Sequence, residues 1–202
     1  MSRTLFTSRG GGNLKELARR ESLREVLSLD SLVFMNQTHS DVVLIADGSG
    51  SVYDCDALVT NKKGVGLAAL AADCMPITFS SPTVVGVAHV GRVGLFKEIA
   101  PKTVAIMREL GAVEITATIG PSICARCYEV SPEMYQESII TLPATSTTDQ
   151  LHALDLKAGV TFQLQAVGVD VSDVSICTKE DRNYFSFRNG DETARQAGII
   201  SL

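Results

Sequence analysis

The stretch Leu67–Gly94, LAALAADCMPITFSSPTVVGVAHVGRVG, constrains this chain more than any other. It holds two apolar runs separated by the turn signal Ser80-Ser81-Pro82, and this predicts two neighbouring buried strands. Each run also carries residues that packing alone does not require. The first contains Asp73-Cys74 just before Pro76, and the second ends on His89 followed by Gly91. A thiol and an imidazole at the ends of adjacent strands can meet in space.

Around this centre the punctuation predicts further elements. Thr4–Arg9 reads as a short extended segment ended by Gly10-Gly11-Gly12, which reads either as a flexible turn or as a loop whose amides, with Arg9, face an anion. Asn13–Leu29 reads as a helix with Asn13 as its cap and Glu16 as the box partner. Strands are expected at 32–35, 42–46, 56–60, 113–119, 174–177 and 184–187. Helices are expected at 94–110, with Pro101 setting off its first turn, at 132–140 behind Ser131, at 151–167 and at 191–199. The segment 141–149 reads as a polar loop. No repeat or linker interrupts the pattern, so residues 1–202 are expected to form a single α/β (α+β) domain.

Composition narrows the function. With 45% hydrophobic and 20% charged residues the chain resembles an ordinary globular protein. Its net charge of −5 and the lack of a basic face argue against nucleic acid as partner. No apolar run reaches the length of a spanning helix, and the first residues lack the apolar core of a signal peptide. A cytoplasmic protein with no membrane partner is expected. In that reducing setting the five cysteines read as free thiols, ligands or nucleophiles rather than disulfides.

His39, Cys74 and His89 stand out together, each at a predicted strand edge. Imidazole and thiolate are preferred zinc ligands, and three protein ligands leave a fourth position for water or substrate. The same residues support a metal-free alternative, with Cys74 as thiolate nucleophile and either histidine as its base. Strand alternation points Asp73 away from Cys74, which suits structural hydrogen bonding as well as catalysis. Arg92, Arg188 and Arg195 are candidate anion binders. Cys124 and Cys127 form a CxxC without a second pair and with Cys177 alone, so the reading is against a zinc knuckle there. His152 reads as a surface or capping residue and Cys55 as passive.

Eight ordered blocks carry a resemblance that runs from about Phe6 to Ile200. They are Gln37-Thr38-His39, 56–60 (DALVT), 72–76 (ADCMP), 87–91 (VAHVG), 119–123 (IGPSI), 127–130 (CYEV), Cys177-Thr178 and 185–188 (FSFR). In this order they resemble the YfiH/laccase-domain family, also called the multicopper polyphenol oxidase-like or purine nucleoside phosphorylase family. The resemblance implies a layered sandwich of mixed β-sheets covered by helices, with a metal held by His39, Cys74 and His89. It implies phosphorolysis of adenosine, inosine or methylthioadenosine to base and ribose 1-phosphate, with adenosine deamination as a side activity. Zn2+ is the expected metal and Cu2+ the alternative. Arg9, Gln37, Arg92 and Arg188 are the expected substrate contacts, and Asp73 is expected to orient the site. The partners are then a purine nucleoside and phosphate, on a monomer or homodimer.

Three other readings share these residues. One is copper-dependent oxidation of phenols, for which three histidines in the whole chain are too few to build a multicopper cluster. Another is a cysteine amidase acting on peptidoglycan precursors. The third is a non-catalytic metal- or nucleoside-binding module. It is motivated by Arg92 and Val93, which stand where the family commonly has Trp and Arg in H-A-G-W-R-G.

Overall fold

The computed structural model describes residues 2–147 and 152–202. In chain order the elements are β1 (Arg3–Phe6), α1 (Leu17–Val26), β2 (Ser31–Asn36), β3 (Val43–Ile45), β4 (Tyr53–Asp54), β5 (Ala57–Thr60), β6 (Val65–Ala71), β7 (Met75–Ser80) and β8 (Val85–Val90). They continue with α2 (Arg92–Phe96), α3 (Ile99–Glu109), β9 (Thr116–Ile119), α4 (Pro132–Thr141), α5 (Leu156–Ala166), β10 (Asp170–Asp173) and β11 (Gln196–Ser201).

The strands form two mixed sheets, a five-stranded one ordered β1-β11-β6-β2-β4 and a six-stranded one ordered β10-β9-β7-β8-β5-β3. Alternation along the central strands explains how the sheets stack. In β6, Leu67 and Ala69 join a cluster with Leu58, Val85 and Val87 between the sheets. Ala68 and Leu70 face the other way, into a cluster with Leu14 that Leu23 and Leu27 pack against. In β8, Val85 and Val87 face the same gap between the sheets, whereas Ala88 and Val90 join the largest cluster with Ile99, Val104 and Val160. The layers are therefore helix, sheet, sheet, helix, which is the mixed α/β sandwich expected. By the same alternation His89 lies on the face of Val85 and Val87, towards the gap between the sheets. Each leucine, isoleucine or phenylalanine fully buried in these layers contributes about 1.5–3 kcal/mol.

Several boundaries differ from expectation for identifiable reasons. The run Leu67–Ser80 is two strands, not one: β6 belongs to the first sheet and β7 to the second, and the chain crosses between them at Ala72-Asp73-Cys74. Asp73 takes a φ of 80° at this crossing, so strand alternation does not apply to it. The helix expected over 94–110 is split into α2 and α3 by Glu98 at φ 58°, with Pro101 inside the first turn of α3 where its missing N–H costs nothing. Asn13 does not cap α1; its Oδ1 accepts from the amides of Lys15 and Arg195 instead. Ser131 caps α4, accepting from the Met134 amide at 3.2 Å.

The helix expected over 191–199 does not form: residues 191–195 are irregular and strand β11 begins at Gln196. β11 lies between β1 and β6 and is buried along its length, and Gly198 leaves room for Pro76 and Phe6. No strand forms at 184–187, which leads into a short 3-10 turn at Phe187–Asn189, and 174–177 contributes only the Ser122–Cys177 bridge behind β10. The helix expected from Leu151 begins at Leu156; Leu151 itself, like residues 148–149 of the polar loop, lies outside the described residues. Among the described residues no helix is long and apolar enough to cross a membrane.

Candidate metal centre and cleft

The crossing between the sheets creates the site. It carries Cys74 to the start of β7, where Pro76 pairs with His89 of β8. The loop after β2 brings His39 to the same corner. The ligand atoms of His39, Cys74 and His89 all lie within 4.8 Å of one another. Cys74 Sγ is 3.9 Å from His39 Nε2, and the two imidazoles meet edge to face with centroids 4.8 Å apart. Zn–S of about 2.3 Å and Zn–N of about 2.0–2.1 Å set a tetrahedral S···N edge of about 3.5 Å, so a small contraction accommodates the ion. Gly91 is required next to it, since a Cβ there would stand 2.9 Å from Cys74 Sγ and 3.3 Å from His39 Cδ2.

Asp56, which the sequence reading did not single out, organises both histidines. Its Oδ1 accepts from His89 Nδ1 at 2.8 Å, which leaves Nε2 of that ring as the ligand atom. Its Oδ2 accepts from the amides of Thr38 and Ser40 at 3.1 and 2.6 Å and from Ser40 Oγ at 2.8 Å. These bonds clasp the residue between, His39, in the left-handed region at φ 59°, which a non-glycine residue holds only when its surroundings enforce it. One fully buried carboxylate therefore fixes two of the three donors. The signal in the sequence was an acid set directly before the short, mostly apolar strand β5.

Electrostatics follow from this geometry. Burial disfavours the Asp56 charge, but hydrogen bonds from His89 and Ser40 outweigh it and hold the carboxyl well below the usual range. Burial alone would push the Cys74 thiol up; the His89 charge and the His39 hydrogen bond override it and bring the thiol down to about 6. Burial would likewise lower His89, yet the Cys74 thiolate and Asp56 raise it to about 9. Metal-free protein thus carries a thiolate–imidazolium pair at neutral pH. Alkylation of Cys74 by iodoacetamide after metal removal is expected to be half-maximal near pH 6, falling as acid protonates the thiolate. Peptide mass mapping across pH checks this, and a midpoint near the ordinary thiol value of about 8.5 contradicts it.

The triad lies in the wall of a cleft of about 710 Å³. Lys15, Arg20, Arg188 and Arg195 bring positive charge to it, and Tyr128 and Phe187 bring aromatic rings. Phe187 is 55% exposed and lines the cleft, which suits stacking. Arg188 is held by a contact over the Tyr128 ring at 4.9 Å and by donation to the Glu129 carbonyl at 3.0 Å. Asp73 does not reach into the triad. Its carboxylate accepts from Thr178 Oγ1 at 2.7 Å and the Arg188 amide at 2.8 Å, tying two loops to the crossing.

Two expected substrate contacts are committed elsewhere, and a third lies beside the cleft. Arg9 is paired with Asp191, lies over the Phe185 ring and donates to the carbonyls of Arg182 and Tyr184; it does not line the cleft. Gln37 lines it, but both ends of its amide are bound to the Leu70 backbone at 2.8 Å. Arg92 stands beside the Tyr128 hydroxyl, just outside the lining. Lys15 and Arg20 were missed because only the tertiary fold brings α1 and the turn before it to the cleft. His152 packs edge to face on Tyr135, and Cys55 is buried with its thiol pushed up to about 12 by burial, as passive residues would be.

Comparison with known proteins agrees with this architecture. A Streptomyces coelicolor protein named as a purine nucleoside phosphorylase is 40% identical over 197 residues, spanning 92% of this chain and 81% of its own. A Corynebacterium glutamicum protein of the same name is 35% identical over 232 residues, spanning 99% and 94%. The crystal structure of a Neisseria meningitidis protein superposes with a TM-score of 0.88 at 30% identity, covering 100% of this chain and 94% of that one. That of the Bacillus licheniformis hypothetical protein YfiH gives 0.86 at 26%, covering 100% and 92%. The family described as multi-copper polyphenol oxidoreductase laccase matches residues 11–202, and the chain belongs to that family.

Proposed function

We propose that the cleft is the active site of a zinc-dependent purine nucleoside phosphorylase in which His39, Cys74 and His89 hold the metal. The observation that carries this reading is the meeting of an incomplete zinc ligand set with cationic and aromatic side chains in one cleft. Relatives that bear the phosphorylase name support it. Bound zinc supplies a Lewis acid and lowers the pKa of a bound water. The protein's own groups do the rest. Arg188 and Arg195, with Lys15 and Arg20, bind and orient phosphate. Phe187 stacks on the purine, a contact of about 1–3 kcal/mol in comparable base–aromatic pairs.

A phosphate oxygen then attacks the anomeric carbon as the bond to the base nitrogen breaks. The base leaves with that electron pair and takes up a proton, giving ribose 1-phosphate. Deamination of adenosine is the side activity in this reading, with water adding at the amino-bearing carbon and ammonia leaving.

Adenosine, inosine and methylthioadenosine, each with and without phosphate and resolved by chromatography, test the proposal. Free base is expected only when phosphate is present, and inosine formed without phosphate reports deamination. No base at high concentration of zinc-loaded enzyme contradicts it. Zinc ranks ahead of copper because a multicopper oxidase needs more imidazoles than this chain has, and zinc-loaded protein that leaves phenols unoxidised supports that order.

The Cys74–His39 contact also favours a second reading, a cysteine nucleophile acting on amide bonds of cell-wall precursors. That reading requires activity that survives complete metal removal.

A further inference from the structure

The fold assembles a second set of metal ligands from cysteines the catalytic site does not use. Cys124, Cys127, Cys177 and Glu180 place three sulfurs and a carboxylate oxygen within 4.8 Å of one another. The first two lie around a 3-10 turn, Ala125–Cys127, and the last two in the loop after β10. Each pair is separated by two residues, C-x-x-C and C-x-x-E, so each turn offers two donors to one point. A parallel bridge between Ser122 and Cys177 brings the turns together, reinforced by donation from Thr178 N to the Ser122 carbonyl at 3.2 Å.

We propose that these four side chains form a structural zinc site, distinct from the catalytic triad. A tetrahedral zinc with Zn–S of about 2.3 Å and Zn–O of about 2.0–2.2 Å sets ligand–ligand edges of about 3.5–3.8 Å. Cys127 Sγ stands 3.5 Å from Glu180 Oε1 and Cys124 Sγ stands 4.0 Å from it. The Cys124 amide donates to Cys177 Sγ at 3.3 Å, a contact that stabilises a metal-bound thiolate. All four positions come from the protein, so the ion is closed to substrate and acts as a staple. On binding, the thiol protons pass to solvent. Arg126, which donates to Glu180 Oε1 at 3.3 Å, orients the carboxylate from outside.

The staple bears on the catalytic cleft through its neighbours. Thr178 follows Cys177 and donates to Asp73, the Ile123 amide donates to the Asp73 carbonyl at 2.9 Å, and Tyr128 follows Cys127. Zinc at the second site therefore holds the two loops that anchor the crossing beside Cys74.

The test uses the full chain with the first site disabled by His39→Ala and Cys74→Ala, which leave the buried His89–Asp56 pair in place. Purified under reducing conditions and desalted, this folded variant is expected to retain one zinc per chain. Exchange with cobalt is expected to give the near-ultraviolet thiolate-to-cobalt band of a tetrahedral site. Adding Cys124→Ser and Cys177→Ser removes both signals. Should those replacements unfold the chain, the exposed Glu180→Ala does not, and the variant is expected to lose its zinc at a lower chelator concentration. A folded first-site variant that holds no zinc and gives no cobalt band overturns the proposal, as does a Cys124–Cys127 disulfide in reduced preparations. Either result leaves the phosphorolysis assay of the intact enzyme unaffected, so the two proposals fail separately.

Discussion

Replacing Cys74 by alanine is expected to lower phosphorolytic kcat/KM by about 10³-fold or more, since a Lewis-acid metal supplies several kcal/mol at the transition state. The same replacement is expected to remove the catalytic zinc, because two imidazoles hold the ion more weakly than a thiolate and two imidazoles. The fold should survive. Cys74 is partly exposed at a crossing between sheets, and Asp56 remains as the partner of His89 when the sulfur is gone. Zinc content, circular dichroism and steady-state kinetics on one preparation check this. An enzyme that keeps its zinc and most of its activity without this sulfur contradicts the ligand assignment.

Asp56→Asn is the second large effect, because one carboxylate serves four donors. The asparagine carbonyl would take the position facing the Thr38 amide, the Ser40 amide and Ser40 Oγ, where three donors converge. Its amide group then faces His89 Nδ1 and donates to it, which drives the ring proton onto Nε2 and blocks the lone pair meant for the metal. Zinc affinity is expected to fall about 10–100-fold. Chelator competition measures it, and an unchanged affinity contradicts the positioning role.

The same variant alters acid stability. The Asp56 pKa is depressed in the folded protein, so its stabilisation is present above the unfolded value of about 3.9 and lost as pH falls through the folded one. The variant lacks that pH-dependent contribution.

Local signals in the sequence carried the mixed α/β class and the candidates His39, Cys74 and His89, and the family resemblance carried the layered sandwich. The apolar runs of β6 to β8 announce buried strands, and a cysteine and a histidine at their ends have no packing role. What was illegible depended on tertiary contact. β11 read as a helix because residues 191–197 favour helices locally, yet the space between β1 and β6 and the close approach of Phe6 and Pro76 to Gly198 demand a strand. Asp56 was present in the DALVT block, but nothing local showed that it spans from His89 to the His39 loop. Cys177 and Glu180 belong with Cys124 and Cys127 only because the bridge at Ser122 aligns two distant loops. Arg9 beside three glycines suggested an anion site, and Asp191 from the far end of the chain takes its charge instead.

The most direct measurement is phosphate-dependent adenine release before chelation, after complete zinc removal, and during stepwise zinc return. Activity is predicted to vanish with the metal and to recover in proportion to zinc bound by a chain with His39, Cys74 and His89 intact, but not by Cys74→Ala. Undiminished turnover by the metal-free enzyme, with Cys74 in its thiolate form, would contradict the account.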